Sequence, residues 1–327
     1  MTCISDYCKA WWFCAALMWL LGANIVGAQD WPMRQPIRVI APATAGSTVD
    51  VMARIVYEQV GRQLGQSIVV ENRGGAGTTT GMSAVAHAAP DGYTILVNST
   101  SYVVVASTYA KLPYDPHDDM TGIALLAHIP FVVGASPKYK TLADLVAAGQ
   151  KKRSPVNFGT LGLGSSGHLA TERLMRACKF EATNVPFRGT GEALTEVVAG
   201  RLDFYSGAFP NAGELSRNGQ ISVLAVMTPK RSALFPDVPT TIEAGCPNSD
   251  YDFWMGSYLP AKAPRAIIER LNAESAKALQ DNEIKAKIRQ LGGEVDIMSV
   301  DQFNAFIKNE RDLNAEIVKL IGYQPQQ

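Results

Sequence analysis

Residues 36–71 read PIRVIAPATAGSTVDVMARIVYEQVGRQLGQSIVVE. Ile37-Arg38-Val39-Ile40-Ala41 is a short β-branched run that suits a buried strand. From Thr48 to Leu64, Val51, Ile55, Val56 and Val60 recur at helical spacing, and Ile68-Val69-Val70-Glu71 returns to a strand pattern. Together they predict a βαβ unit, whose right-handed crossover makes the two strands parallel. A helix over 78–89, a turn at Pro90-Asp91-Gly92 and a strand over 93–97 extend it to three parallel strands.

The alternation continues. Strands are predicted at 123–127 and 131–134, a helix capped by Thr141 runs through Ala148, and strand 156–159 leads into a helix over 168–178. Strand 183–187, a helix over 191–199, and strands 202–205 and 221–226 complete a second open α/β sheet. Strand 253–259 and helices at about 264–279, 281–291 and 301–320 close the chain. The fold class is therefore α/β, with open sheets flanked by helices. At 327 residues the chain has room for two such units. Lys and Arg total 30 against 30 Asp and Glu, so the charge signature of a nucleic-acid partner is missing.

Lys9 precedes an apolar run from Ala10 to Leu21, and Val26-Gly27-Ala28 offers small residues to a processing peptidase. Residues 1–28 read as a signal peptide cleaved near Ala28; the alternative is a membrane anchor, weakened by Gly22 and Asn24. Cleavage removes Cys3, Cys8 and Cys14 and leaves Cys178 and Cys246, which either form one disulfide or stay as two buried thiols. His87, His117, His128 and His168 are scattered and no metal-ligand spacing occurs, so neither metal nor other cofactor is expected.

Ligands of open α/β sheets gather at the carboxyl ends of the strands, so the loops there carry the functional signal. Five of them share one chemistry: Pro42-Ala43-Thr44-Ala45-Gly46-Ser47-Thr48, Asn72-Arg73-Gly74-Gly75-Ala76-Gly77-Thr78, Asn98-Ser99-Thr100-Ser101, Thr160 through Gly167, and Arg188-Gly189-Thr190-Gly191. Small and hydroxyl residues at helix starts present backbone N–H groups, a surface suited to an anion. Gly162-Leu163-Gly164-Ser165-Ser166-Gly167 matches G-x-G-x-x-G, but the next strand ends at Phe187-Arg188 without the acid that would hold a ribose. No serine nucleophile elbow is present, although Ser166 with His168 leaves an exported hydrolase or isomerase as the alternative to a binding protein.

Several segments in order resemble the Bug-type receptors, the extracytoplasmic solute-binding proteins of tripartite tricarboxylate transporters. They include Val69-Val70-Glu71-Asn72-Arg73, Ala89-Pro90-Asp91-Gly92-Tyr93-Thr94, Leu112-Pro113-Tyr114-Asp115-Pro116, Gly167-His168-Leu169-Ala170, Val185-Pro186-Phe187-Arg188-Gly189, Ala199-Gly200-Arg201-Leu202-Asp203 and Pro236-Asp237-Val238-Pro239-Thr240. The resemblance implies a two-domain periplasmic-binding-protein (Venus-flytrap) fold closing over a small mono- or dicarboxylate, held mainly by main-chain donors. It also implies a periplasmic monomer that serves the membrane components of a transporter or a sensor protein. By position it marks Ala43, Thr44, Gly46, Ser47, Gly74, Gly75, Ala76, Gly77, Ser99, Thr100, Thr160, Ser165, Ser166, His168, Gly189, Thr190 and Ala208 as ligand-binding.

The first loop lacks the aromatic usual in that family, Gly74 replaces a proline, and Ser206-Gly207-Ala208-Phe209 stands where an acid or amide pair is common. These departures argue for a roomier pocket and against an amino-acid ligand. Domain I is expected over 29–122 plus 253–327 and domain II over 123–252, with the hinge near Thr121-Gly122 and Asp252-Phe253. Hydroxyls of Thr160, Ser165 and Ser166 are expected to join the main-chain donors as the halves close.

Overall fold

The computed structural model describes residues 31–151, 156–232 and 234–325; the expected signal peptide lies outside them. Strand β1 (Ile37–Ala41) runs into α1 (Thr48–Leu64), which starts at Ser47, whose Oγ accepts the Asp50 N–H, and stops at Gly65 in the left-handed region (φ 64°). Next come β2 (Ile68–Asn72), α2 (Thr79–Ala86), β3 (Thr94–Ser99), α3 (Ser101–Thr108) and β4 (Met120–His128). The chain then enters a second set: β5 (Phe131–Ala135), α4 (Leu142–Gly149), β6 (Val156–Thr160), α5 (Ser166–Cys178), β7 (Ala182–Pro186), α6 (Thr190–Val198), β8 (Phe204–Ala208), α7 (Phe209–Arg217) and β9 (Ser222–Val226). It returns through β10 (Trp254–Pro260) and ends in α8 (Arg265–Gln280), α9 (Asn282–Gln290) and α10 (Val300–Ile321).

The two sheets follow one plan, with orders β2-β1-β3-β10-β4 and β7-β6-β8-β5-β9. In the first, β1 pairs parallel with β2 and β3, while β10 runs antiparallel between β3 and β4. In the second, β6 pairs parallel with β7 and β8, and β5 runs antiparallel between β8 and β9. In each sheet the antiparallel strand beside the parallel set is the one entered directly from the other half. Hence every parallel strand carries its following loop and helix start toward the same inter-sheet cleft.

One expected boundary moves. Thr121-Gly122 lies inside β4, which pairs with β10 from Met120 to His128, so the strand predicted at 123–127 belongs to the first sheet. Helices α8 and α10 pack on it, which accounts for its near-complete burial on both faces. The outward crossing is Ile129-Pro130, and the return runs through Asp252-Phe253.

Two helices carry no sequence pattern. The pattern assigns no element to 101–108, where Val103-Val104-Val105 favours strand; α3 forms there because Tyr102 and all three valines are buried, which erases amphipathic periodicity. Helix α7 begins at Phe209-Pro210, where proline's fixed φ suits a first turn. Cys178, the last residue of α5, is bonded to Cys246, with Cα atoms 4.8 Å apart.

Candidate functional site

The loop after β1 is shaped by a buried acid behind it. Asp50 accepts the Gly46 N–H (2.9 Å), the Asn72 amide (3.0 Å) and Arg54 Nε (3.0 Å), and the Asn72 amide also reaches the Ala43 carbonyl (3.1 Å). Burial pushes the Asp50 carboxyl up, but Arg54, the Gly46 N–H and Asn72 outweigh it and hold the pKa below its ordinary value. An ionised Asp50 therefore ties residues 43–47 to the end of β2.

Across the cleft, the loop after β6 is stitched by its own hydroxyls. Thr160 Oγ1 donates to Asn184 Oδ1 (2.8 Å) and Ser165 Oγ donates to the Gly162 carbonyl (2.8 Å). Ser166 contacts the other half: its N–H donates to Ser101 Oγ (3.1 Å), and the two hydroxyl oxygens are also 3.1 Å apart. The hydroxyls of Thr160, Ser165 and Ser166, expected to serve a ligand, are thus engaged within the protein.

Between the halves lies a cavity of about 30 Å³. Its wall includes Ala43, Ser47, Thr48, Val49 and Ser99 from the first half and Thr160, Leu161, Ser166, Gly167 and Thr190 from the second. Phe131, Tyr205, Ser206, Ala208 and Phe253 complete it. Thr48 and Val49 are the first two residues of α1, Ser166 and Gly167 those of α5, and Thr190 the first of α6. N–H groups in a helix's first turn lack intrahelical acceptors, and the helix dipole adds partial positive charge there. Among the described residues, no Lys, Arg, His, Asp or Glu lines the cavity. The described wall residues offer an anion main-chain donors and no counter-charge.

The family model described as "Tripartite tricarboxylate transporter family receptor" matches residues 52–323. The chain belongs to this family. Protein BugT of Bordetella pertussis is 32% identical over 301 residues, spanning 91% of this chain and 92% of that protein. Among solved structures, the periplasmic binding protein BugD superposes with a TM-score of 0.85 at 27% identity, covering 90% of this chain and 99% of that one. MatC from Rhodopseudomonas palustris, with bound malate, gives 0.83 at 30% identity, covering 88% and 99%. An R. palustris protein with adipate gives 0.86 at 29% identity, covering 90% and 100%.

In this tripartite tricarboxylate receptor, seven of the sequence-marked residues meet at the cavity: Ala43, Ser47, Ser99, Thr160, Ser166, Thr190 and Ala208. Gly75, Ala76 and Gly77 line a separate groove of about 320 Å³ with Tyr109, Leu163 and Arg188. Gly74 packs on Ala43, Gly46 donates to Asp50, and Ser165 caps α5. Thr100 turns its hydroxyl to the Trp254 N–H (3.0 Å), joining α3 to β10. Thr44 and Gly189 face each other from opposite halves.

His168 lies outside the cavity wall. Its Nδ1 accepts the Gly164 N–H (3.3 Å), its Nε2 is 3.5 Å from Glu172 Oε1, and its ring stacks on Phe158. With both nitrogens directed to these partners and Ser166 Oγ against Ser101, the receptor has no Ser166–His168 hydrogen bond of the kind a nucleophile and base require. Sequence reasoning missed Phe131, Tyr205 and Phe253, which are strand and strand-flanking residues and not loop residues. One signal for Tyr205 was available: a glycine two places along the strand, on the same face, leaves room for a large ring to lie down.

Proposed function

We propose that this receptor is a periplasmic solute-binding protein that captures a small carboxylate by closing its two halves, without chemical turnover. One observation carries the reading: the starts of α1, α5 and α6, drawn from both halves, converge on one cavity with no side-chain cation among its described wall residues. Backbone donors hold a carboxylate without a fixed counter-charge, and donors split between halves make closure depend on the ligand. Malate bound to MatC and adipate bound to its R. palustris relative point to the same class.

In this reading the first half comprises 29–128 with 254–327, the second spans 131–251, and the hinge is Ile129-Pro130 with Asp252-Phe253. The apolar run after Lys9 and the small residues before Gln29 act as a signal peptide, and the mature monomer serves the membrane components of a transporter or a sensor protein. A thermal-shift screen of small carboxylates tests it. A true ligand at a hundred times its Kd adds about 2.7 kcal/mol of stability. Conversion of that ligand to product, or no stabilisation by any carboxylate, overturns the proposal.

A further inference from the structure

We propose that the cavity selects a monocarboxylate, with the carboxylate at the starts of α1, α5 and α6 and an uncharged body against Phe131 and Phe253. The inference rests on the carboxylate-receptor reading and specifies which carboxylates fit.

The helix starts around the cleft are not equivalent. Val49 and Gly167 are second residues and Thr190 a first residue of their helices, positions whose N–H groups have no acceptor inside the helix. At α3 the first N–H is taken by the protein itself: Ser101 N–H donates to Ser99 Oγ (3.3 Å), and the preceding Thr100 N–H donates to the Trp254 carbonyl (2.9 Å). At α7 the first two positions offer no donor. Phe209 N–H donates to the Pro130 carbonyl (3.0 Å), and Pro210 has no N–H to give. Among the described residues, the cavity wall takes in the starts of α1, α5 and α6 and no residue of α3 or α7.

Where the chain crosses between halves, the cavity wall is aromatic. Phe131 and Phe253 stack with ring centroids 4.2 Å apart, and Ala208 pairs with Phe131 in the β5–β8 register. A second carboxylate there would be buried against rings and a methyl group, with no cation among the described wall residues to offset its charge, a costly placement. A flat or short apolar body gains by burial at the same place.

One polar side-chain atom among the described wall residues has no partner. Ser206 is 0% exposed, lines the cavity, and its Oγ has no hydrogen-bond partner. Buried hydroxyls are rarely left unpaired, so Ser206 assigns the ligand an uncharged hydrogen-bonding group, such as a hydroxyl, on its body.

Calorimetry on the mature protein with benzoate, 3-hydroxybenzoate, 4-hydroxybenzoate, butanoate, malate and adipate tests this. The expected result is that the best monocarboxylate binds at least tenfold more tightly than malate and adipate, and that a hydroxybenzoate binds more tightly than benzoate. Ser206→Ala is expected to remove the hydroxybenzoate advantage and to leave benzoate within about twofold. Equal or tighter binding of malate or adipate overturns the inference and leaves the carboxylate receptor standing. Binding of none of the six overturns both.

Discussion

The phenol of Tyr205 lies flat over Gly207, two residues further along β8, so closely that a Cβ on Gly207 would overlap the phenol oxygen. The hydroxyl thereby reaches Thr190 Oγ1 (3.5 Å) at the first residue of α6. Gly207 is needed for its missing side chain, since residues i and i+2 of a strand share a face. Gly207→Ala should displace the ring, disturb the cavity wall and weaken ligand binding at least tenfold while the protein still melts cooperatively. Tyr205→Phe, which keeps the ring and loses the hydroxyl, should cost less than threefold. Calorimetry on the two variants checks the order, and the reverse order would assign the effect to the hydroxyl.

How far the fold was legible follows from what each segment needed. Residues 37–71 could be read because strand, helix, Ser47 cap and Gly65 stop are all local signals. The placement of β4 was not, since its partner β10 is more than a hundred residues away and a buried apolar run looks alike in either sheet. Helix α3 escaped for a related reason: burial on all sides overrides the β-branched preference of its valines. At the site, the anion-binding character of the loops was legible because it depends on helix starts and small residues. Which loops face inward was not. Gly75 and Gly77, at φ 127° and 62°, turn their segment toward the outer groove, a direction set by backbone angles and not by residue type.

The Cys178–Cys246 bond joins the end of α5 to the segment before β10 across a sequence separation of 68. Loop-closure entropy for a loop of that length corresponds to about 4 kcal/mol at 25 °C. The double variant Cys178→Ala, Cys246→Ala should lose stability of that order in urea melts, with ligand affinity at 25 °C nearly unchanged because neither residue lines the cavity. A large loss of affinity in a folded double variant would mean that the bond positions the α5 start.

His128 and Asp252 stand at the two crossings between the halves, with Nδ1 3.0 Å and 3.1 Å from the two carboxylate oxygens. Burial lowers the His128 pKa, but the Asp252 hydrogen bond and the charges of Asp252, Asp296 and Glu310 outweigh it, and the net shift is upward. A raised folded-state pKa stabilises fully below the unfolded value of about 6.5, and that stability fades as pH rises through the folded value. Urea melts of the wild type should therefore show a contribution at pH 5.5 that is absent at pH 8.5. In Asp252→Asn the contribution should shrink at pH 5.5 by about 1 kcal/mol or less, since both groups are partly exposed. A pH dependence identical in the two proteins would remove His128 from the account.

Closure itself can be blocked at one atom. Gly189 has extended backbone (φ −151°, ψ 152°), which any residue adopts, so glycine is not required there for conformational freedom. What excludes a side chain is Thr44 from the other half: a Cβ on Gly189 would overlap Thr44 Oγ1 and stand 2.8 Å from Cγ2 and 3.0 Å from Cβ. Gly189→Ala should therefore leave each half folded, with little change in melting temperature, while keeping the halves from meeting. Small-angle scattering with saturating ligand should show a larger radius of gyration than wild type, and affinity should fall at least tenfold, since the donors on the two sides no longer reach one ligand. Adding Thr44→Ala removes Oγ1 and Cγ2, the atoms responsible for the worst overlap, and should restore most of the affinity. That rescue separates a steric block from local misfolding, because a misfolded α6 start would gain nothing from a smaller residue at position 44. If Gly189→Ala closes and binds like wild type, the facing of Thr44 and Gly189 has no part in ligand capture.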